Sequence, residues 1–205
     1  NQKILEVFKM GDQFPVSERI LEHSHFLVPI SLSGNQALEV LIRIKTSSTI
    51  QIPVSIWDKK SFIEHEYQRG LILAGFLGLL LAVFVYHCLL AITVKDLSMI
   101  YFALMVLGVL CIFARIEGLP SLMFWPEKQW LSDYLILLGY AIAIFGSSLF
   151  SIRVLALTTS VRPRLCMSLQ ILAGLSVILG VSAFIAPYTI VIKSAMALSV
   201  VSIVV

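Results

Sequence analysis

Charge is what this chain has least of. Only 13% of its 205 residues are Asp, Glu, Lys or Arg, against about 25% in a soluble domain, so an ordinary water-surrounded globule is excluded. Cysteine is scarce too: Cys88, Cys111 and Cys166 lie in apolar stretches and the first sixty residues hold none. A disulfide framework is thereby excluded from that part, and packing as small hydrophobes is the expected role of all three thiols. A second imidazole is missing where a zinc site would need it. In "HEYQR" His65 and Glu66 are followed by Arg69, a guanidinium that repels a cation, whereas a helical His-Glu-x-x-His site needs two histidines one turn apart. No metal site, cofactor, catalytic residue or nucleic-acid partner is expected in the segment.

What is abundant is apolar sequence, 59% of residues with a mean hydropathy of +0.95. It gathers in runs long enough to cross a hydrocarbon layer about 30 Å thick. The runs predict spans at about 70–94, 97–116, 135–157, 165–186 and 188–205, a transmembrane helical bundle over 61–205 with the lipid bilayer as its partner. The chain lacks an initiator methionine, and its last apolar run, "LSVVSIVV", meets no polar flank. The expectation is a piece of a longer protein, cut at both ends.

Residues 1–60 are written in the period of strands. "QALEVLIRIKT" sets Leu38, Val40, Ile42 and Ile44 against Glu39, Arg43 and Lys45, and "TIQIPVSIW" repeats the alternation with Ile50, Ile52, Val54 and Ile56. With "HFLVPISL" before them, and Ser33–Asn35 and Thr46–Ser48 as turns, an antiparallel meander is expected. Pro29 and Pro53 belong at an edge or bulge. One sheet leaves an apolar face uncovered. The predicted fold is therefore mixed: the carboxy-terminal strands of an antiparallel β-sandwich or jelly-roll sensor domain, whose cover lies upstream, followed by the α-helical bundle.

At the joint, Ser61 and Glu64 have capping-box spacing, and no Gly-Ser or proline linker separates Ser61 from Gly70. A stiff helical shaft of about thirty residues, roughly 45 Å long, is predicted to run from there into the first span. A helix start with no signalling meaning is the plain alternative. Arg153, Arg162, Arg164 and Lys95 fall in links on one side, which the positive-inside rule puts in the cytoplasm, leaving the amino-terminal module outside. Trp125, Trp130 and Phe124 in "GLPSLMFWPEKQW" fit an interfacial anchor better than a ligand lid.

"FPVSERILEHSHFLVPISL", "IWDKKSF" and "VYHCLLAITVKDLSMIYF" resemble the bacterial seven-transmembrane receptors with diverse intracellular signalling modules. The likeness lies in Ser17, Glu18, Arg19, His23, Phe26 and Pro29, in Trp57 and Phe62 at the joint, and in Tyr86, Asp96 and Tyr101 around the first inner link. Trp125 with Pro126, and Arg153, Pro163 and Leu165, continue it. The resemblance covers the second half of the family's extracellular β domain and about five of the seven spans. His87 stands where the family is expected to carry asparagine; such a side chain should point into the bundle, hydrogen-bonded and uncharged.

The resemblance implies a receptor of the bacterial inner membrane. Its outer domain senses a small extracytoplasmic ligand, with carbohydrate as one class, and its bundle drives a cytoplasmic signalling module in cis, commonly a diguanylate cyclase, histidine kinase or phosphatase. A homodimer is compatible with such an arrangement. By chemistry, Arg19, His23 and Trp57 are ligand-binding candidates, with turn and packing roles as the plainer alternative; Ser61, Glu64, Tyr86 and His87 are candidates for signal coupling. Two rivals remain. A transporter or channel subunit would carry mid-depth charges and broken spans, but only His87 and Lys193 are ionisable there and Lys193 can snorkel. An intramembrane serine protease has only a faint echo in "FGSSLF" and His87; Ser147 and Ser148 fit helix packing more simply.

Overall fold

The computed structural model describes residues 7–11, 14, 18–21, 23–31, 38–45, 53–156 and 162–204. Among the described residues six helices follow one another: α1 (Lys59–Val94), α2 (Leu97–Ile116), α3 (Leu119–Met123), α4 (Gln129–Val154), α5 (Pro163–Ser182) and α6 (Tyr188–Val204). By length and composition α1, α2, α4 and α5 can each cross a membrane. The 17-residue α6 is apolar and shorter.

The predicted β architecture is not found. Among the described residues before Lys59 there is no strand and no ladder. Leu38, Val40, Ile42 and Ile44 are all exposed, and Leu41, on the opposite parity, is 86% exposed. Alternation tells which residues would share a face on a sheet; it supplies neither the neighbouring strand that accepts the backbone hydrogen bonds nor the layer that covers the face. The described segments receive neither, so the pattern is present and the sheet is not. The turns expected at 33–35 and 46–48, and Ile50 and Ile52, lie outside the described residues.

Helix α1 is 36 residues without a break, about 54 Å at 1.5 Å per residue. Its start is set by Asp58, not by a Ser61–Glu64 box. Asp58 has extended backbone (ψ 150°), and its carboxylate accepts from the backbone N–H groups of Lys60 (2.9 Å) and Ser61 (3.2 Å). The Ser61 hydroxyl also donates to Asp58 Oδ2, at 2.5 Å, and Glu64 is turned toward exposed Lys60, 3.9 Å away. At the other end Lys95 takes the left-handed conformation (φ 58°) and its N–H closes on Ala91 O. Asp96 immediately caps α2 through the Ser98 N–H, so the inner link is only two residues long.

The α2–α4 contact is the tightest in the bundle. A Cβ on Gly108 would stand 2.4 Å from Ala143 N and 2.6 Å from Gly139 O, and one on Gly146 would stand 2.5 Å from Met105 N. Backbone therefore meets backbone at both positions, which only glycine allows, and small residues replace the hydrophobic effect as the means of helix association in lipid. The remaining core is shared by α4, α5 and α6, with Leu137, Ala141, Leu179, Val191 and Ala195 buried together. Large apolar residues on the outer faces, such as Leu79, Ile92, Ile178 and Ile203, are exposed, as a lipid-facing surface requires.

Candidate functional site at the outer end of α1

Glu66 and Arg69 are three residues apart and so share one face of α1. That face meets the amino-terminal segment on one side and the end of α2 on the other. His23 Nε2 lies 3.2 Å from Glu66 Oε2, Glu66 Oε1 is 3.6 Å from Arg69 Nη1, and Arg69 Nη2 donates to Glu117 Oε2 at 2.5 Å. His25 Nε2 makes a close contact with Arg69 Nη1. The result is a chain of polar contacts from residues 23–25, across α1, to the residue that caps α2.

Donor and acceptor rules fix the proton positions. The His25 N–H donates to His23 Nδ1 (3.0 Å), so that nitrogen is a lone pair and the His23 proton sits on Nε2, facing Glu66. A guanidinium only donates, so His25 Nε2 must accept from Arg69, and His25 is neutral in this arrangement. Burial, and next the Arg69 charge, hold the His25 pKa below its usual 6.5.

The sequence candidates divide. Arg19 and His23 come together: Arg19 Nη1 donates to His23 O at 2.7 Å, and the Arg19 guanidinium lies 4.7 Å from the Phe26 ring centroid. Trp57 does something else, stacking on His65 at 4.7 Å. His65 in turn borders a groove of about 420 Å³ between α1 and α2, with Arg69, Phe76, Phe113 and Glu117. Ser61 and Glu64 belong to the first turns of α1, where Ser61 is bonded to Asp58 and Glu64 faces Lys60. His87 and Tyr86 lie deeper: His87 Nδ1 donates to Val83 O at 2.8 Å, and its ring packs 5.1 Å from Tyr86 on one side and 4.3 Å from Phe102 of α2 on the other. Phe102 continues to Phe150 of α4 at 5.2 Å, so an aromatic row joins three helices.

Sequence reasoning passed over Glu66, Arg69, Glu117 and His25 as a group. Their partners are 43 to 48 positions apart, and no local period records that. The one available signal was Arg69 itself, a cation on the threshold of an apolar run.

At the inner end, Asp96 accepts from Ser98 through both side chain and backbone, which holds its carboxyl below the usual carboxylate range, and Arg153 Nε approaches it at 3.5 Å. At the outer end, Arg115 Nη2 pairs with Asp133 at 2.8 Å, and the Ser121 and Ser132 hydroxyls share a buried hydrogen bond of 2.9 Å, which fastens α2 and α3 to the start of α4.

Comparison with known families gives two matches. Residues 69–205 match the family described as 7TM diverse intracellular signalling, and residues 1–58 match 7TMR-DISM extracellular 2. No curated protein and no solved structure matches the chain. The first match covers more than half of the residues, the second places the amino-terminal part on the extracellular side, and among the described residues four helices are long and apolar enough to cross a membrane. The chain belongs to the seven-transmembrane receptors with diverse intracellular signalling modules, as a multi-pass membrane protein with an extracellular amino-terminal module.

Proposed function

We propose that this chain is the sensing and relay portion of a bacterial inner-membrane receptor, in which a small extracytoplasmic ligand alters the seat of the amino-terminal module on α1 and α1 carries that change to a cytoplasmic output module. The observation that supports it best is mechanical. A single 36-residue helix is held near its outer end both to the amino-terminal segment, through His23–Glu66, and to α2, through Arg69–Glu117.

A ligand shifts such an equilibrium only if it binds the two arrangements unequally, and a polar chain between module and bundle provides contacts that differ between them. Continuous helix below the clamp then transmits displacement, because axial and rotational play in an α-helix is small compared with that of a Gly-Ser linker. The test is insertion of a short Gly-Ser stretch after Gln68 in the full receptor, with the cytoplasmic output, cyclic dinucleotide or phosphoryl transfer, read in cells grown with and without mixed carbohydrates. Loss of the receptor-dependent response is expected. An undiminished response overturns the rigid relay.

A further inference from the structure

Where the amino-terminal segment meets the α2–α3 corner there is a cavity of about 190 Å³ lined by Arg19, Ser24, Arg115, Ile116, Gly118, Ser121 and Leu122. Gly118 makes the corner: it adopts φ 72°, and a Cβ there would already lie 3.4 Å from Ser24. The segment and the corner thus close on each other from opposite sides. We propose that this cavity is a site for a compact oxyanion, a small carboxylate or inorganic phosphate, held between Arg19 and Ser24 of the extracellular module and Arg115 and Ser121 of the bundle.

Three observations carry it. Two guanidiniums line one small space, and planar forks with several N–H groups are the side chains best shaped for carboxylate and phosphate oxygens. Arg115 engages Asp133 only through Nη2, while its buried Nε has no hydrogen-bond partner among the described residues; a buried donor left unmade is unfavourable, and an oxyanion would satisfy it. Among the described residues no carboxylate lines the cavity. The size excludes larger ligands, since pockets for drug-sized molecules begin at about 300 Å³.

The site rests on the receptor reading for its meaning, because an anion gripped by both bodies binds only while they are apposed and so selects one arrangement. Its existence is tested without any signalling output. The full receptor in detergent is titrated calorimetrically with inorganic phosphate and, separately, with acetate, with glycerol as the neutral control, at low and at raised salt. Saturable binding of at least one anion, none of glycerol, and at least tenfold weaker binding in both Arg19→Gln and Arg115→Gln are expected.

Arg115→Lys keeps a cation for Asp133 and serves if the glutamine variant fails to fold; it too should bind more weakly, because it loses the fork. Which anion binds separates the phosphate from the carboxylate source. Absence of saturable binding by either anion, or binding unchanged in Arg19→Gln and Arg115→Lys, overturns the site while leaving the Gly-Ser insertion test of the relay untouched.

Discussion

Arg69, on the outer third of α1, donates to Glu117 at the carboxyl end of α2 across 48 positions of sequence, at 2.5 Å. Both side chains are only partly exposed, 30% and 22%. A hydrogen bond to a charged group contributes about 1.5–3 kcal/mol when buried, and solvent screening at this exposure reduces it to about 1 kcal/mol. Arg69→Met and Glu117→Gln should each lower the Tm in detergent by about 2–4 °C. In a double-mutant cycle the losses should be less than additive, as partners in contact require. Full additivity would mean that the pair carries no coupling.

The helix crossing gives a sharper contrast. Gly108→Val drives a side chain into the backbone of Ala143 and Gly139, which cannot yield, and overpacking of this kind destabilises by about 1–3 kcal/mol or more. Gly75→Ala and Gly78→Ala meet nothing within 4 Å and should leave the Tm unchanged or slightly raised, since alanine is the better helix former by about 1 kcal/mol. Thermal unfolding of the three variants side by side checks this. Equal tolerance at position 108 would show that α2 and α4 do not meet at backbone distance.

Acid should loosen the clamp through His25. Its surroundings are Arg69 and His23, which oppose its protonation, and Glu66 and Glu117, which favour it; burial and Arg69 prevail and the folded pKa lies below 6.5. The sign follows. Above 6.5 the ring is neutral in folded and unfolded chains alike, and as pH falls through that value the unfolded chain takes up the proton first, so stability is lost toward the folded pKa. Wild type should therefore lose Tm relative to His25→Gln between about pH 7 and pH 5. A relative gain in that window would contradict the neutral His25–Arg69 contact.

How far the sequence could be read depends on the range of the interaction. Apolar runs are local facts, legible in composition alone, because a lipid-spanning helix such as α2 (Leu97–Ile116) or α5 (Pro163–Ser182) satisfies its own backbone. The family resemblance, carried by residues such as Trp57, Asp96 and Trp125, is likewise matched. The cap was misread by three positions because Asp58 and Ser61 are both good caps, and the choice falls to the residue whose backbone is still extended. The β expectation failed at Leu38–Ile44 because a sheet is a relation between segments, and the alternation of one segment does not contain its partner. The polar chain from His23 to Glu117 was illegible for the same reason. His87 packs on Phe102 of α2, while its hydrogen bond goes to Val83 of its own helix.

The continuity of α1 can be measured directly. With Cys88, Cys111 and Cys166 replaced by alanine, spin labels at Ile63→Cys and Val85→Cys, both exposed positions on α1, should report a single narrow distance near 33 Å, the span of 22 residues at 1.5 Å each. A broad distribution, or a mean several ångströms shorter, would place a hinge between the clamp and the membrane and contradict the account.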